Sequence, residues 1–333
     1  MHKFQNNISH ITFPQKPSMG LLSQLGETYT FEEAKKFFEE IKHKGVIQFL
    51  KLYQKFHQKK LTNPPVLWGD EIETHILNMN PETKEVKLQC DIQYIYNKFE
   101  EINKAQTQEF QIQPEYGAWM LETVPTSPFK YCCDLVPVLK NMALRRSVLN
   151  SLLESNDMMF TIPVFPLLGT PNSYLKNKDS DKSSPTTSSP QLNEESKSDD
   201  FMLKNGNGNH KVDFDHLNPV THSLFINDEI INSHPRFPAL TKNIRERRGE
   251  NVDIRIPLFI DEKTDTTVTE EEPYPGFIHM DAMAFGMGNC CLQVTFSTKD
   301  IESARFFYDQ LGVMAPIIVN KFLIKYMEFV FHV

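Results

Sequence analysis

Between Trp68 and Leu77 the sequence WGDEIETHIL sets Ile72 and Ile76 in alternation with acidic and polar residues. Side chains in a strand repeat every two residues, so Glu71 and Glu73 would share one face and the isoleucines the other. Two anions then stand roughly 7 Å apart on one side of a sheet. Like charges so placed repel, and each resists losing its water. A fold built on this strand must leave that face in water or bring something positive to it. The stretch alone leaves both readings open.

The surrounding pattern mixes helices and strands without the strict rhythm of a parallel sheet. TFEEAKKFFEEIKHKG opens at Thr30 with Glu33 three positions on, a capping box, and Gly45 is a natural stop. A second helix with Val46, Phe49, Leu50, Tyr53 and Phe56 on one face follows, ended by Asn63, Pro64 and Pro65. Asn80, Pro81 and Glu82 form a turn between ETHILNM and EVKLQC, which predicts a hairpin. VLKNMALRRSVLNSLLES reads as a helix with Leu139, Met142, Leu149 and Leu152 in the core, and MMFTIPVFPLL as a buried strand. VDIRIPLFI alternates as a strand with Val252, Ile254, Ile256 and Leu258 inward. Leu292, Val294 and Phe296 would face the core from a later strand, with Cys291, Gln293 and Thr295 on its other face. IESARFFYDQLG is a final amphipathic helix. An α+β fold around a mostly antiparallel sheet accounts for this order best.

Residues 1–18 read as a flexible extension, with Met19 as an alternative start. Residues 176–211 are rich in Ser, Lys, Asp and Pro; such a stretch cannot bury enough apolar area to offset chain ordering, so a disordered surface insertion is expected.

A net charge of −8 argues against nucleic-acid binding as the main task. No apolar run reaches the length of a membrane span. The five cysteines, Cys90, Cys132, Cys133, Cys290 and Cys291, include no C-x-x-C, so reduced thiols in the cytoplasm are expected. No P-loop, H-E-x-x-H or G-x-S-x-G occurs.

In PEYGAWMLE, Glu115 and Glu122 stand seven apart around an aromatic, apolar run. That spacing aligns them on a helix and opposes them on a flat strand, and Gly117 could change the register through a bulge. In MDAMAFGMGNCCLQVTF, Gly286 and Gly288 allow close backbone approach to a ligand, although on pattern alone a tight loop before a buried strand explains them better. Arg245, Arg247 and Arg248 in NIRERRGE could pair with a carboxylate or phosphate, or form a solvated helix end.

MGLLSQLG, GVIQFL, WGDEIE, PEYGAWMLE, HPRFPALTKNIRERRGE and MDAMAFGMGNCCLQVTF follow one another in this order. Together they closely resemble the catalytic subunit of eukaryotic glutamate–cysteine ligase, from about Met19 to about Pro316. The resemblance implies a glutamine-synthetase-like fold, with a curved, mostly antiparallel sheet forming half of a funnel among helices. Residues 19–319 would be the N-terminal portion of one ligase catalytic domain. It implies ATP-dependent joining of the glutamate side-chain carboxylate to the cysteine amine through an acyl phosphate, the first step of glutathione synthesis. Substrates would be glutamate, cysteine and ATP, with a modifier subunit as an allowed partner. By this resemblance Glu71, Glu73, Glu115, Glu122 and Gln293 hold magnesium, with manganese as an alternative. Met287, Gly288 and Cys291 border the substrate, and Arg245 and Arg248 are weaker candidates for binding it. Clustered glutamates are then stabilised by a cation, which answers the charge problem posed by Glu71 and Glu73.

Three departures stand out. Thr74 replaces the family's usual tyrosine, and the polar insertion is longer than usual. After APIIV, residues 320–333 no longer look like the family, whose members are much longer and draw further site residues from later strands. That tail reads as a gene-model end, a read-through intron or a genuine truncation. The alternatives to an active ligase are a non-catalytic fragment or paralogue and a related ligase using another amine; little or no activity is expected of these 333 residues alone.

Overall fold

The alternation in WGDEIETHIL becomes one long strand, β1 (Leu67–Met79), and the sheet is arranged along it. The structure, a computed structural model, describes residues 28–57, 66–130, 135–175, 202–205, 208–211, 218–264 and 275–331. β1 reverses at Asn80, whose side chain accepts the N–H groups of Glu82 and Thr83, and returns as β2 (Val86–Gln89). The predicted hairpin is therefore present. Next come α3 (Gln93–Ala105), β3 (Phe110–Pro114), β4 (Met120–Pro125), β5 (Phe129–Lys130), α4 (Leu135–Leu152), β6 (Asp157–Phe160) and β7 (Tyr174–Leu175). The later elements are β8 (Met202–Asn205), β9 (Gly208–Lys211), α5 (Arg236–Arg248), β10 (Ile254–Pro257), β11 (Phe277–Met280), α6 (Ala284–Met287), β12 (Leu292–Phe296) and α7 (Ile301–Phe331).

Both edges of β1 are occupied by successive partners. Ile72 faces both Thr123 and Leu292, and Leu77 faces both Leu88 and Met158. It follows that β5, β4 and β2 share one edge, and β12 and β6 the other. The result is a curled antiparallel half-barrel flanked by helices, with a parallel β2–β7 pair at its margin.

Both faces of the sheet bury apolar side chains, so neighbouring residues serve different cores. Ile76 and Leu121 pack with Ile95 and Phe99 of α3 and Leu149 and Leu152 of α4. Leu77 and Met120 pack on the other face with Trp119, Phe165, Ile226 and Ala284. Glu71, Glu73 and His75 lie two apart before Leu77 and share its face. Beneath the helical face, Arg145 Nη2 donates to Asp70 Oδ2 at 2.5 Å, and Arg145 Nη1 to the Thr123 carbonyl at 3.1 Å. Both charged residues are almost fully buried.

Several expectations are corrected. The capping box at Thr30 forms and starts α1 (Phe31–Lys35), but α2 (Phe38–Phe56) runs through Gly45. A helical glycine costs only about 1 kcal/mol, which its neighbours offset. The apolar face of Val46, Phe49, Leu50, Tyr53 and Phe56 is exposed; Asn63, Pro64 and Pro65 lie outside the described residues. In α4, Leu139 is exposed and Met142 only half-buried, while Val138, Asn141 and Arg145 turn inward with the expected Leu149 and Leu152. The strand in MMFTIPVFPLL stops at Phe160, ahead of Pro163. β10 exists but pairs only with β11, and Ile254 and Ile256 are exposed because nothing described covers their face of that ribbon. On β12 the alternation holds, yet Leu292 and Val294 are exposed. α7 extends well beyond IESARFFYDQLG. Within 176–211, β8 and β9 pair as an antiparallel hairpin where disorder was expected; the rest of that stretch lies outside the described residues, as do residues 1–18, Cys132 and Cys133.

Candidate metal centre

Glu115 and Glu122 meet through neither a helix nor a bulged strand. They flank a hairpin. β3 ends at Pro114, the chain turns over Glu115–Trp119, and β4 returns with Glu122 opposite Gln113. The turn is held from far along the chain: the Ala118 N–H donates to the Ile230 carbonyl and the Asn232 N–H to that of Tyr116. β4 then sets Glu122 directly opposite Glu73 on β1.

Carboxylate oxygens of Glu73, Glu115 and Glu122 consequently lie within 4.8 Å of one another. Glu71 stands on the same face just outside this group, opposite Gln293 of β12. Gln293 Nε2 donates to Glu73 Oε1 at 2.8 Å. The Cys291 N–H donates to Glu73 Oε2 and its thiol to Oε1, both at 3.1 Å. The Tyr116 N–H donates to Glu115 Oε2 at 3.2 Å.

Electrostatics follow from this crowding. Burial pushes the Glu122 carboxyl up to about 8, and the charges of Glu115 and Glu71 add to the effect. Glu115 is raised by burial and by Glu73. The Cys291 thiol is pushed up to about 11 by burial and by Glu73. It holds roughly a hundredfold less thiolate near neutral pH than an ordinary cysteine. Alkylation by iodoacetamide at pH 7.5, followed by peptide mass spectrometry, is expected to be slowed to a similar degree at Cys291, although its side chain is accessible. Labelling at the rate of a free thiol would contradict this electrostatic picture.

A family profile described as glutamate-cysteine ligase matches residues 20–321. The chain belongs to the glutamate–cysteine ligase family. It is 36% identical over 318 residues to the human glutamate–cysteine ligase catalytic subunit, covering 90% of this chain and 44% of that one. It is 33% identical to glutamate–cysteine ligase of Candida albicans over 91% of this chain and 41% of that one. For the Saccharomyces cerevisiae protein the figures are 32%, 90% and 43%. This chain therefore spans less than half the length of these three relatives.

In this glutamate–cysteine ligase family member the acidic group fits a divalent cation on its own chemistry. Three hard oxygen donors converge, two of their carboxyls are pushed upward, and among the described residues none of the three pairs with a lysine, arginine or histidine. Oxygen-rich sites of this kind suit Mg²⁺ or Mn²⁺.

The other sequence candidates separate. Cys291 and Gln293 reach the acidic group through Glu73. Gly288 borders it indirectly through Trp119, and Met287 packs on the core cluster to which Trp119 belongs. Arg245 is engaged elsewhere: it donates to the carbonyls of Pro219 and Val220 at 3.1 Å and stands 3.0 Å from His222 Nδ1. This makes it a tie between α5 and the preceding loop. Arg248 lies 3.9 Å from Glu250 near the left-handed Gly249 cap. Sequence reasoning missed Asp70, Arg145 and His75. A signal for Arg145 existed, since it falls on the Val138–Leu149 face at helical spacing.

Proposed function

We propose that this acidic face is the metal-binding side of an ATP-dependent ligase site. The reaction would join the side-chain carboxylate of glutamate to the amine of cysteine through an acyl phosphate, giving γ-glutamylcysteine, ADP and phosphate. The observation that carries this reading is the convergence of Glu73, Glu115 and Glu122 in a member of this family. Glu73, Glu115 and Glu122 would hold Mg²⁺ or Mn²⁺, joined by Glu71 and the Gln293 carbonyl. Divalent cations bound there would neutralise the charge on the nucleotide's phosphate oxygens.

The chain's own residues support this role. The Cys291 N–H and Gln293 amide fix the Glu73 carboxylate, and the Tyr116 N–H fixes that of Glu115. The Cys291 thiol stays protonated, which suits a reaction whose nucleophile is the substrate amine. The human and mouse relatives are named as catalytic subunits, which supports a modifier subunit as a partner. A cytoplasmic setting is consistent with free thiols at Cys90, Cys290 and Cys291, and no helix among the described residues is long and apolar enough to cross a membrane.

The test is ADP release from added ATP by the protein immunopurified from its source, with Mg²⁺, glutamate and cysteine. Release should require both amino acids, and Glu73→Ala should lower it at least a hundredfold. ADP release independent of either amino acid, or untouched by Glu73→Ala, would overturn the reading.

A further inference from the structure

His75 and Trp119 form a buried polar pair behind the acidic group. Trp119 Nε1 stands 2.7 Å from His75 Nδ1, the rings are nearly coplanar at 11°, and neither residue is exposed. An indole N–H only donates, so His75 Nδ1 must accept and the histidine must be the neutral Nε2–H tautomer. The carbonyls of Pro163 and Ile162 act on the ring as well, without completing a well-formed hydrogen bond to Nε2. The pair spans two elements of the site: His75 follows Glu73 by two residues on β1, and Trp119 closes the turn between Glu115 and Glu122.

The indole also shapes a third element. A Cβ on Gly288 would lie 3.0 Å from Trp119 Cζ2 and 2.5 Å from the Ala284 carbonyl, and one on Gly117 2.8 Å from Trp119 Cζ3. Ala284, Met287 and Cys290 belong to the same packed cluster. Glycine at both positions lets two backbones close on the ring. One of them is the loop that delivers Cys291 to the Glu73 carboxylate. A rotated or shifted indole would therefore move both the Glu115 turn and the Cys291 loop.

We propose that His75 is a positioning residue: by accepting the Trp119 N–H it fixes the indole against Gly117 and Gly288, and so sets the geometry in which Glu73, Glu115 and Glu122 bind a divalent cation. The proposal rests on the metal reading of those glutamates. The supporting partners of metal ligands typically affect metal affinity 10- to 100-fold.

The experiment is Mn²⁺ binding to the full chain, with far-UV circular dichroism and tryptophan emission recorded on each variant. His75→Leu keeps bulk but removes the acceptor; it should weaken Mn²⁺ binding about tenfold and shift Trp119 emission. His75→Asn returns an acceptor near the Nδ1 position and should recover most of that loss. Trp119→Phe removes the donor, should match His75→Leu, and serves if the histidine variant fails to fold. The ¹⁵N spectrum of the wild type should show His75 Nδ1 unprotonated and Nε2 protonated. No Mn²⁺ binding by the wild type sinks the metal reading itself. Wild-type binding with unchanged affinity in folded His75→Leu and Trp119→Phe, or a protonated Nδ1, sinks the positioning role alone.

Discussion

Replacing Arg145 with methionine is expected to destabilise the chain by about 3–5 kcal/mol, because it leaves Asp70 charged, buried and without its partner. The side chains are 2% and 3% exposed, so water cannot take over. Arg145 also holds the Thr123 carbonyl, so it ties β4 to β1 on the face opposite the acidic group. Of the residues next in line, Glu122 belongs to that group and Glu71 stands beside it on the same face. Loss of the tie should therefore weaken cation binding as well as stability. Urea unfolding followed by circular dichroism measures the first effect. The double variant Asp70→Leu, Arg145→Met should cost clearly less than Arg145→Met alone, since it removes the orphaned charge as well. Equal losses in the single and double variants would show that packing at Arg145, and not its charge, carries the effect.

Glu122→Gln is expected to act in opposite directions on stability and on cation binding. In the unfolded chain its carboxyl ionises near pH 4.3, while in the fold burial and neighbouring glutamates push it up to about 8. Between those values the folded state keeps a proton that the unfolded state releases. Stability of the metal-free chain therefore falls as pH rises through this window, and the whole penalty is present above it. Glu115 contributes with the same sign. His75, lowered by burial, contributes with the opposite sign on the acid side, and the comparison of variant with wild type cancels that contribution, leaving the effect of Glu122 and of its interaction with Glu115. Glutamine removes the ionisation. Metal-free Glu122→Gln should melt several degrees above the wild type at pH 8 and close to it at pH 5. It should also bind Mn²⁺ more than tenfold more weakly, because one of the proposed ligands is gone. Thermal melts at the two pH values with EDTA, repeated with Mn²⁺, read both effects. A wild type whose advantage or deficit does not change with pH would contradict the electrostatics assigned to the site.

The period of two in WGDEIETHIL was enough to place Glu71 and Glu73 on one face, and Asn80 was enough to mark the hairpin. Both signals are local, since the alternation and the turn chemistry lie within a dozen residues. Glu115 and Glu122 were different. Their spacing was compatible with several geometries, and the one adopted depends on Ile230 and Asn232 holding the turn from over a hundred residues away. The alternation around Ile254 and Leu292 correctly marked strands with two distinct faces. Alternation carries no information on what covers a face, and these apolar faces proved exposed. Gly45 shows the limit of breaker residues: one unfavourable position does not end a helix whose neighbours all favour it. The Asp70–Arg145 and His75–Trp119 pairs each join residues tens of positions apart, and no short-range pattern announces such a contact.

The most direct measurement on the central claim is Mn²⁺ titration of the purified chain, followed by the loss of the free-ion signal in electron paramagnetic resonance. Saturable, EDTA-reversible binding is expected, weakened by glutamine at Glu73, at Glu115 and at Glu122 separately, and abolished when all three are replaced. A free-ion signal that never diminishes with added protein, or binding that survives in the folded triple variant, would contradict the account.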